Sequence, residues 1–295
     1  MFSQRSIFWL KFLRLPNVLT VPGDVLAGAA LALRPGMDTG LHPWMDICPN
    51  LAAVALLYLF GMGLNDLVDL QEDRIHRPER PLPSGQLPLR NAWFLTLALA
   101  ALAVLIAPTP AIFLLLLCVV AYTLLKNFSA LLGGLLMGTC RGLALLTGAG
   151  FLGNWHFPMS LPPAVWTATL LWTGFIFIVT RLAEREHLPG TPTRLPWLLP
   201  FWFTAGLAAT AVYHTQVLHP FTYAFLALPP LAALRTARKI QAAGGVRPHH
   251  IGACLALLFP LQSAILALEQ AWGLAIGILF LLPLARKARR WIPAS

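Results

Sequence analysis

Ten apolar runs, each close to the length of a bilayer-crossing helix, divide this 295-residue chain almost from end to end. They lie at residues 17–34, 47–66, 91–107, 110–126, 130–152, 162–180, 196–214, 219–235, 249–268 and 271–286. At the helical rise, about 20 residues cross the roughly 30 Å hydrocarbon core. Barrel strands need only about half that length, and lipid offers the backbone no hydrogen bonds, so helices are the expected solution. The composition is 58% hydrophobic and 11% charged, against about 25% charged in soluble domains. The expected class is an all-α, polytopic transmembrane bundle forming one domain over 1–295. Only Pro108–Pro110 part the third and fourth runs, and only Glu269 and Gln270 the last two. The count is therefore nine or ten helices.

Basic residues mark the orientation, because Lys and Arg favour loops that stay in the cytoplasm. Arg5, Lys11 and Arg14 precede the first run, Arg74, Arg77, Arg80 and Arg90 follow the second, and Lys126 ends the fourth. Further clusters are Arg181, Arg185 and Arg194, then Arg235, Arg238, Lys239 and Arg247, then Arg286, Lys287, Arg289 and Arg290. Every second loop is basic, so both termini and the acidic loops are expected on the cytoplasmic side of a cell inner membrane, with an even helix count. The net charge of +10 then follows from topology and attraction to anionic headgroups, and gives no case for nucleic acid. Cys48, Cys118, Cys140 and Cys254 show no paired spacing and suggest packing rather than disulfides or zinc. The basic, aromatic amino terminus lacks a cleavage site and reads as an interfacial helix.

Chemistry is expected where NDLVDLQEDRIHRPERPLPSG, residues 65–85, interrupts the oily pattern. Asp66, Asp69 and Asp73 are spaced by three and four, so a helix stacks them on one face, with Asn65 four residues before Asp69. Such a face repels itself unless a cation sits on it. Hard oxygens suit Mg2+, which takes one or two carboxylates, keeps waters and completes its shell with phosphate oxygens. Arg74, Arg77 and Arg80 follow at once, with planar forks that grip phosphate. The implied ligand is a diphosphate; the plain alternative is a solvated loop of weak salt bridges.

A second loop, TRLAEREHLPGTPTRLP, lies on the same expected face. Glu184 and Glu186 are its acids, splayed by about 200° on a helix. Arg181 and Arg185 share a helix face and are candidates to hold phosphate directly, where a solvated loop is the equally weighted alternative.

The chain resembles the UbiA superfamily of intramembrane prenyltransferases. Asn65, Asp66, Asp69 and Asp73 match its N-D-x-x-D-x-x-x-D motif, and Arg80-Pro81-Leu82 with Ser84-Gly85 look like its R-P-L-x-S-G. Arg14, Pro16 and Asn17 look like the opening of its first helix, and Gly190, Thr193 and Pro196 like the tail of its second motif. Within that second motif Glu186 takes the last acidic position, while Leu182 stands where another Asp is expected. The family normally has nine helices.

The resemblance implies transfer of a polyisoprenyl group from its diphosphate donor to a lipophilic acceptor. Mg2+ would be bound by Asn65, Asp66, Asp69 and Asp73, the aspartates joining Arg141 and Glu186 as catalytic candidates. Asn17, Asn65, Arg77, Arg80, Lys126, Arg181, Arg185 and Glu184 are the substrate-binding candidates. An allylic cation needs a dry, aromatic pocket, for which Trp172, Phe175 and Phe177 are candidates.

Ionisable groups at membrane depth are rare unless paired or functional. Arg141, in GTCRGL between small residues, either faces the cavity or pairs with an intramembrane acid such as Asp24. Lys126 either contacts phosphate or snorkels to the interface. Glu269 is expected in an outer turn, and His249-His250 at an interface. The rival reading is a non-catalytic polyprenyl-lipid binding or transport protein, favoured if Glu184 and Glu186 both face water. No inverted repeat or broken helix pair suggests a conventional transporter.

Overall fold

The computed structural model describes residues 4–33, 47–150, 161–187, 193–214 and 218–291, and among them every regular element is a helix. In chain order these are α1 (Gln4–Phe12), α2 (Leu15–Val18), α3 (Val21–Ala32), α4 (Cys48–Val68), α5 (Leu70–His76), α6 (Leu89–Ile106) and α7 (Pro110–Leu125). There follow α8 (Ala130–Ala149), α9 (Pro163–Ala183), α10 (Leu198–Ala211), α11 (Pro220–Ala242), α12 (Pro248–Leu255), α13 (Leu258–Leu268) and α14 (Trp272–Trp291). Each of the ten apolar runs is mostly helix over its described part. Among the described residues, five stretches are long and apolar enough to cross a bilayer: Cys48–Val68, Leu89–Ile106, Ala130–Ala149, Pro163–Glu186 and Pro248–Leu268. Pro110–Leu125 and Leu195–Ala211 are apolar but shorter. The chain is an integral membrane protein.

Lipid, not water, surrounds the bundle, so its outside is as apolar as its core. On α6 only 17% of the spanning window is buried, and Phe94, Leu97 and Leu105 project outward. Across α12 and α13 the buried share rises to 72%, which makes that pair an inner element. Helices greasy all round carry no apolar stripe to separate the two environments.

Small residues set the tightest crossing. A Cβ on Gly28 of α3 would lie 1.9 Å from the Leu145 carbonyl oxygen, and one on Gly148 of α8 would lie 1.9 Å from that of Val25. The two helices therefore meet backbone to backbone, the close approach that glycine permits in lipid where apolar side chains gain nothing by leaving solvent. Gly138 and Gly142, which flank Arg141, give α9 the same access at Thr173. Helices α3, α8 and α9 form the centre on which α4, α7, α10 and α13 pack.

Two breaks correct the expectation of uninterrupted helices. The last long inner stretch stops at Ala256 and Leu257 between α12 and α13, just before Pro260, which has no N–H to continue the ladder. The first run likewise divides into α2 and α3 around Thr20, before Pro22. Each break aims polar groups inward: the Gln262 Nε2 amide donates to the Thr20 carbonyl at 2.7 Å.

The amino-terminal helix does more than lie at an interface. Phe12 of α1 is buried against Leu67, Leu82, Leu87 and Ala92, so α1 clamps the loop that follows the acidic strip.

Candidate functional site

The acidic strip bridges α4 and α5 with almost no loss of helical path. The Asp69 N–H donates to the Asn65 carbonyl at 2.9 Å and the Asp73 N–H to the Asp69 carbonyl at 2.8 Å. At 3.6 residues per turn, Asn65, Asp69, Asp73 and Asp66 follow one another around about 100° of that surface. Arg77 (φ −145°, ψ 56°) ends α5, and the chain turns back through Pro78 and Pro81. That reversal returns Arg80 to the strip. Arg14 enters from the other side, held at φ 46° in the turn between α1 and α2, a left-handed conformation that costs about 1–2 kcal/mol for a residue with a Cβ.

Two clusters result. Arg80 Nη1 lies 2.7 Å from Asp73 Oδ2 and 3.6 Å from Asp66 Oδ1. Arg14 Nη2 donates to Asp66 Oδ1 at 2.9 Å, and Arg77 stands 3.9 Å from Asp73. Asp66, Asp73 and Arg80 are each about 5% exposed or less. Asp69, at the other edge, accepts from Asn65 Nδ2 at 3.0 Å and pairs with Lys126, which also donates to Asn65. Lys126 thus reaches across from the end of α7 into the strip, rather than outward to the interface.

The set expected around one cation is divided between these clusters. Among the described residues no three His, Cys, Asp or Glu side chains already form a cage. Mg2+ asks for less, taking one or two carboxylates with water and phosphate oxygens. Asp66 Oδ1 and Asp73 Oδ2 approach the same guanidinium nitrogen, so two hard oxygens converge there. That donor set fits such a cation.

Beneath the strip lies a cavity of about 290 Å3, whose walls include Arg14, Asn17, Thr20, Tyr122, Thr180 and Arg141. A smaller apolar cavity of about 60 Å3 adjoins it, among Val54, Leu57, Leu115 and Val119. Tyr58, Met62, Tyr122, Met137 and Arg141 belong to both walls and form the waist between them. The aromatic faces here are Tyr58 and Tyr122, which sequence reasoning missed. Trp172, Phe175 and Phe177 line neither cavity: Trp172 is fully buried with its indole N–H on Asp24, Phe175 packs on Phe203 at 4.9 Å, and Phe177 covers Gly134. Helix α9 turns Ile176, Val179 and Thr180 to the larger cavity instead.

Arg141 both lines the cavity and pairs with Asp24, at 2.9 Å from Nη2 to Oδ2. The same nitrogen donates to the Thr20 carbonyl at 3.0 Å.

The second loop is less organised. Helix α9 ends at Ala183 and Glu184–His187 form a 3-10 turn, so Arg181 and Arg185 do not share the α-helical face expected of them. Arg181 pairs instead with Glu184, which is exposed, and Glu186 is half-buried. Neither glutamate lines either cavity. Leu182 is fully buried, so the position where an Asp was expected points into the core. Gly190 lies outside the described residues; Thr193 and Pro196 are buried beyond it. Cys118 and Cys140, unpaired by spacing, come together with sulfurs 3.4 Å apart.

Comparison with known proteins places these features. The family model for the UbiA prenyltransferase family matches residues 25–249. The chain is similar to the digeranylgeranylglyceryl phosphate synthase of Methanosarcina mazei, 35% identical over 159 residues, which are 49% of this chain and 55% of that protein. It is also similar to the chloroplastic 2-acyl-4-prenylphloroglucinol 6-prenyltransferase of Humulus lupulus, 34% identical over 28% of this chain and 20% of that protein. The matched stretch is thus about half, or less, of the length of these relatives. Among solved structures, a UbiA homologue from Archaeoglobus fulgidus bound to GPP and Mg2+ superposes with TM-score 0.60 at 17% identity, covering 90% of this chain and 99% of that one. A further structure of a UbiA homologue from Archaeoglobus fulgidus gives 0.62 at 17% identity, over 90% and 98%. At these identities the likeness is one of fold.

Proposed function

The chain belongs to the UbiA prenyltransferase family, and on that premise we propose that it moves a polyisoprenyl group from its diphosphate to a lipophilic acceptor within the membrane. The observation that carries this reading is the arrangement of charge over a greasy cavity. Arg14, on the wall of the larger cavity, holds Asp66 and through it the Arg80–Asp73 pair, while Leu57, Leu115 and Val119 line the smaller apolar cavity that adjoins it. That polarity matches a donor with an anionic head and a hydrocarbon tail.

Asp66 and Asp73, with Asp69 and Asn65 beside them, are the residues that would hold Mg2+, whose bound charge would neutralise the departing pyrophosphate. Arg14, Arg77, Arg80 and Lys126 take the phosphate oxygens, where planar and ammonium donors are strongest against an anion. Tyr58 and Tyr122 offer ring faces to an allylic cation at the waist, and the surrounding side chains keep water from quenching it. Asn17 and Arg141 complete the polar wall. Arg181 and Arg185 line neither cavity and act on the approach of the diphosphate. We further read the topology as an even number of crossings, ten, with both termini and the acidic loops in the cytoplasm of a cell with this protein in its inner membrane, from the distribution of Lys and Arg.

Pyrophosphate release tests this. Purified protein supplied with geranylgeranyl or farnesyl diphosphate, Mg2+ and a membrane lipid extract is expected to release pyrophosphate, and Asp66→Ala to release none. A second reading, a non-catalytic polyprenyl-lipid carrier, draws on one observation: neither Glu184, exposed and engaged by Arg181, nor Glu186, half-buried, lines either cavity. It requires Mg2+-dependent donor binding without release.

A further inference from the structure

Five buried polar groups, Thr20, Asp24, Arg141, Trp172 and Gln262, meet behind the waist of the cavity, a waist that Arg141 alone of them reaches. Asp24 Oδ1 accepts from Trp172 Nε1 at 2.7 Å and from Gln262 Nε2 at 2.6 Å, while its other oxygen faces Arg141 at 2.9 Å. Thr20 gives its carbonyl to Gln262 and Arg141, and its hydroxyl oxygen lies 3.2 Å from the same guanidinium nitrogen. Gly23 makes the arrangement possible, since a Cβ there would lie 2.1 Å from Gln262 Oε1. So much polar chemistry inside a membrane bundle is costly to assemble.

What it secures is one guanidinium. Arg141 is 7% exposed, forms part of both cavity walls and lies 5.9 Å from the Tyr58 ring centroid. Among the described residues its Nε is buried with no hydrogen-bond partner, a donor that normally costs about 1–3 kcal/mol to leave unpaired. Its charge, by contrast, is already answered by Asp24. A guanidinium on the cavity wall with its charge so answered suits a neutral oxygen and gives an anion little.

We propose that this clamp forms a subsite for an uncharged hydroxyl or carbonyl oxygen of the acceptor, with Asp24, Gln262 and Trp172 as positioning residues that fix and neutralise Arg141. The inference rests on the transferase reading and deepens it: the anionic head of the donor belongs to Arg14 and the strip, and the acceptor's oxygen to Arg141. Charge therefore sorts the two substrates within one cavity.

Binding of 4-butylphenol and 4-butylbenzoate to protein in lipid nanodiscs tests it, in the presence of Mg2+ and a non-reactive thiolodiphosphate donor analogue. Wild type is expected to prefer the phenol by about tenfold. Asp24→Asn keeps the shape and the acceptor oxygen for Trp172 and Gln262 but frees the charge of Arg141. It is expected to shift the preference toward the benzoate by about tenfold or more. A wild type that binds the benzoate as well as the phenol, or a folded Asp24→Asn with an unchanged ratio, would overturn the proposal. Should that variant not fold, Asp24→Asn with Arg141→Gln removes both charges together. This double variant is expected to lose the advantage of the phenol over butylbenzene, and keeping it would equally overturn the proposal. Donor-analogue binding is scored separately: its failure in wild type defeats the transferase reading, whereas intact donor binding with no charge preference defeats only this inference.

Discussion

Asp73 and Arg80, seven residues apart across a turn of the chain, form a buried ion pair at 2.7 Å, with both side chains 5% exposed. The pair joins the end of the acidic strip to the loop that closes it, and through Arg80 it brings Asp66 into the same cluster. Removing one partner of such a pair strands the other, at about 3–5 kcal/mol. Arg80→Met is therefore expected to lower the unfolding temperature in detergent and to weaken donor binding together. Arg80→Lys, which keeps the charge but not the fork, should restore stability more than binding. Equal recovery of both would mean that Arg80 serves the fold alone.

Lys126 separates grip from scaffold differently. It joins Asp69 and Asn65 from the end of α7 with only 13% of its side chain exposed, but Met keeps the buried apolar stem and Asp69 keeps the Asn65 amide as a donor. Lys126→Met is expected to weaken Mg2+-dependent diphosphate binding by about tenfold with the unfolding temperature nearly unchanged. Titration of wild type and variant with the donor analogue reads both quantities, and an unaltered affinity would remove Lys126 from the site.

Much of this cluster was legible in the sequence. The spacing of Asn65, Asp66, Asp69 and Asp73 alone places four oxygens on one helical face, and the isolation of Asp24 and Arg141 in apolar runs flags each of them. What sequence could not supply was direction. On α7, α8 and α9 lipid-facing and cavity-facing residues are equally apolar, so nothing local distinguishes Tyr122, on the cavity wall, from Phe175, sealed in the core. Gln262 was legible in principle, as one amide inside an apolar run, and was overlooked. The reach of Arg80 and Lys126 back to the strip depends on loop reversals and helix ends that periodicity does not encode.

The α3–α8 crossing makes a sharp stability test. Gly28→Leu places atoms where the Leu145 carbonyl already stands, 1.9 Å from an added Cβ, and overpacking of this kind costs about 1–3 kcal/mol. A lower unfolding temperature and loss of the helical signal on mild heating are expected. Gly277→Ala, which meets nothing within 4 Å, is the control and should be neutral. Equal tolerance of both changes would contradict the backbone-to-backbone contact.

At the turn between α13 and α14, His214 Nε2 lies 3.2 Å from Glu269 Oε1. Burial pushes the Glu269 carboxyl up to about 7 from its ordinary 4.5 and holds His214 below its ordinary 6.5. Because Glu269 binds its proton more tightly when folded, its stabilising contribution is complete below about pH 4.5 and is lost as the pH rises through about 7. His214 has the opposite sign, costing stability as the pH falls below 6.5 and charging is forced on a buried ring. Glu269→Gln is permanently neutral, so it should raise the unfolding temperature at about pH 8 and change it little near pH 4. A variant less stable than wild type at the higher pH would instead indicate a working ion pair.

Transfer itself is best read from the fate of the isoprenoid. Protein in nanodiscs is given donor labelled at its first carbon, Mg2+ and membrane lipid extract, and the label is followed into phosphatase-resistant lipid. Label in such a product, abolished by Asp66→Ala and by chelation of Mg2+, is the expected result. Label that stays in intact diphosphate, bound tightly and dependent on the same residues but never transferred across a range of lipophilic acceptors, would contradict the transferase reading and leave a carrier in its place.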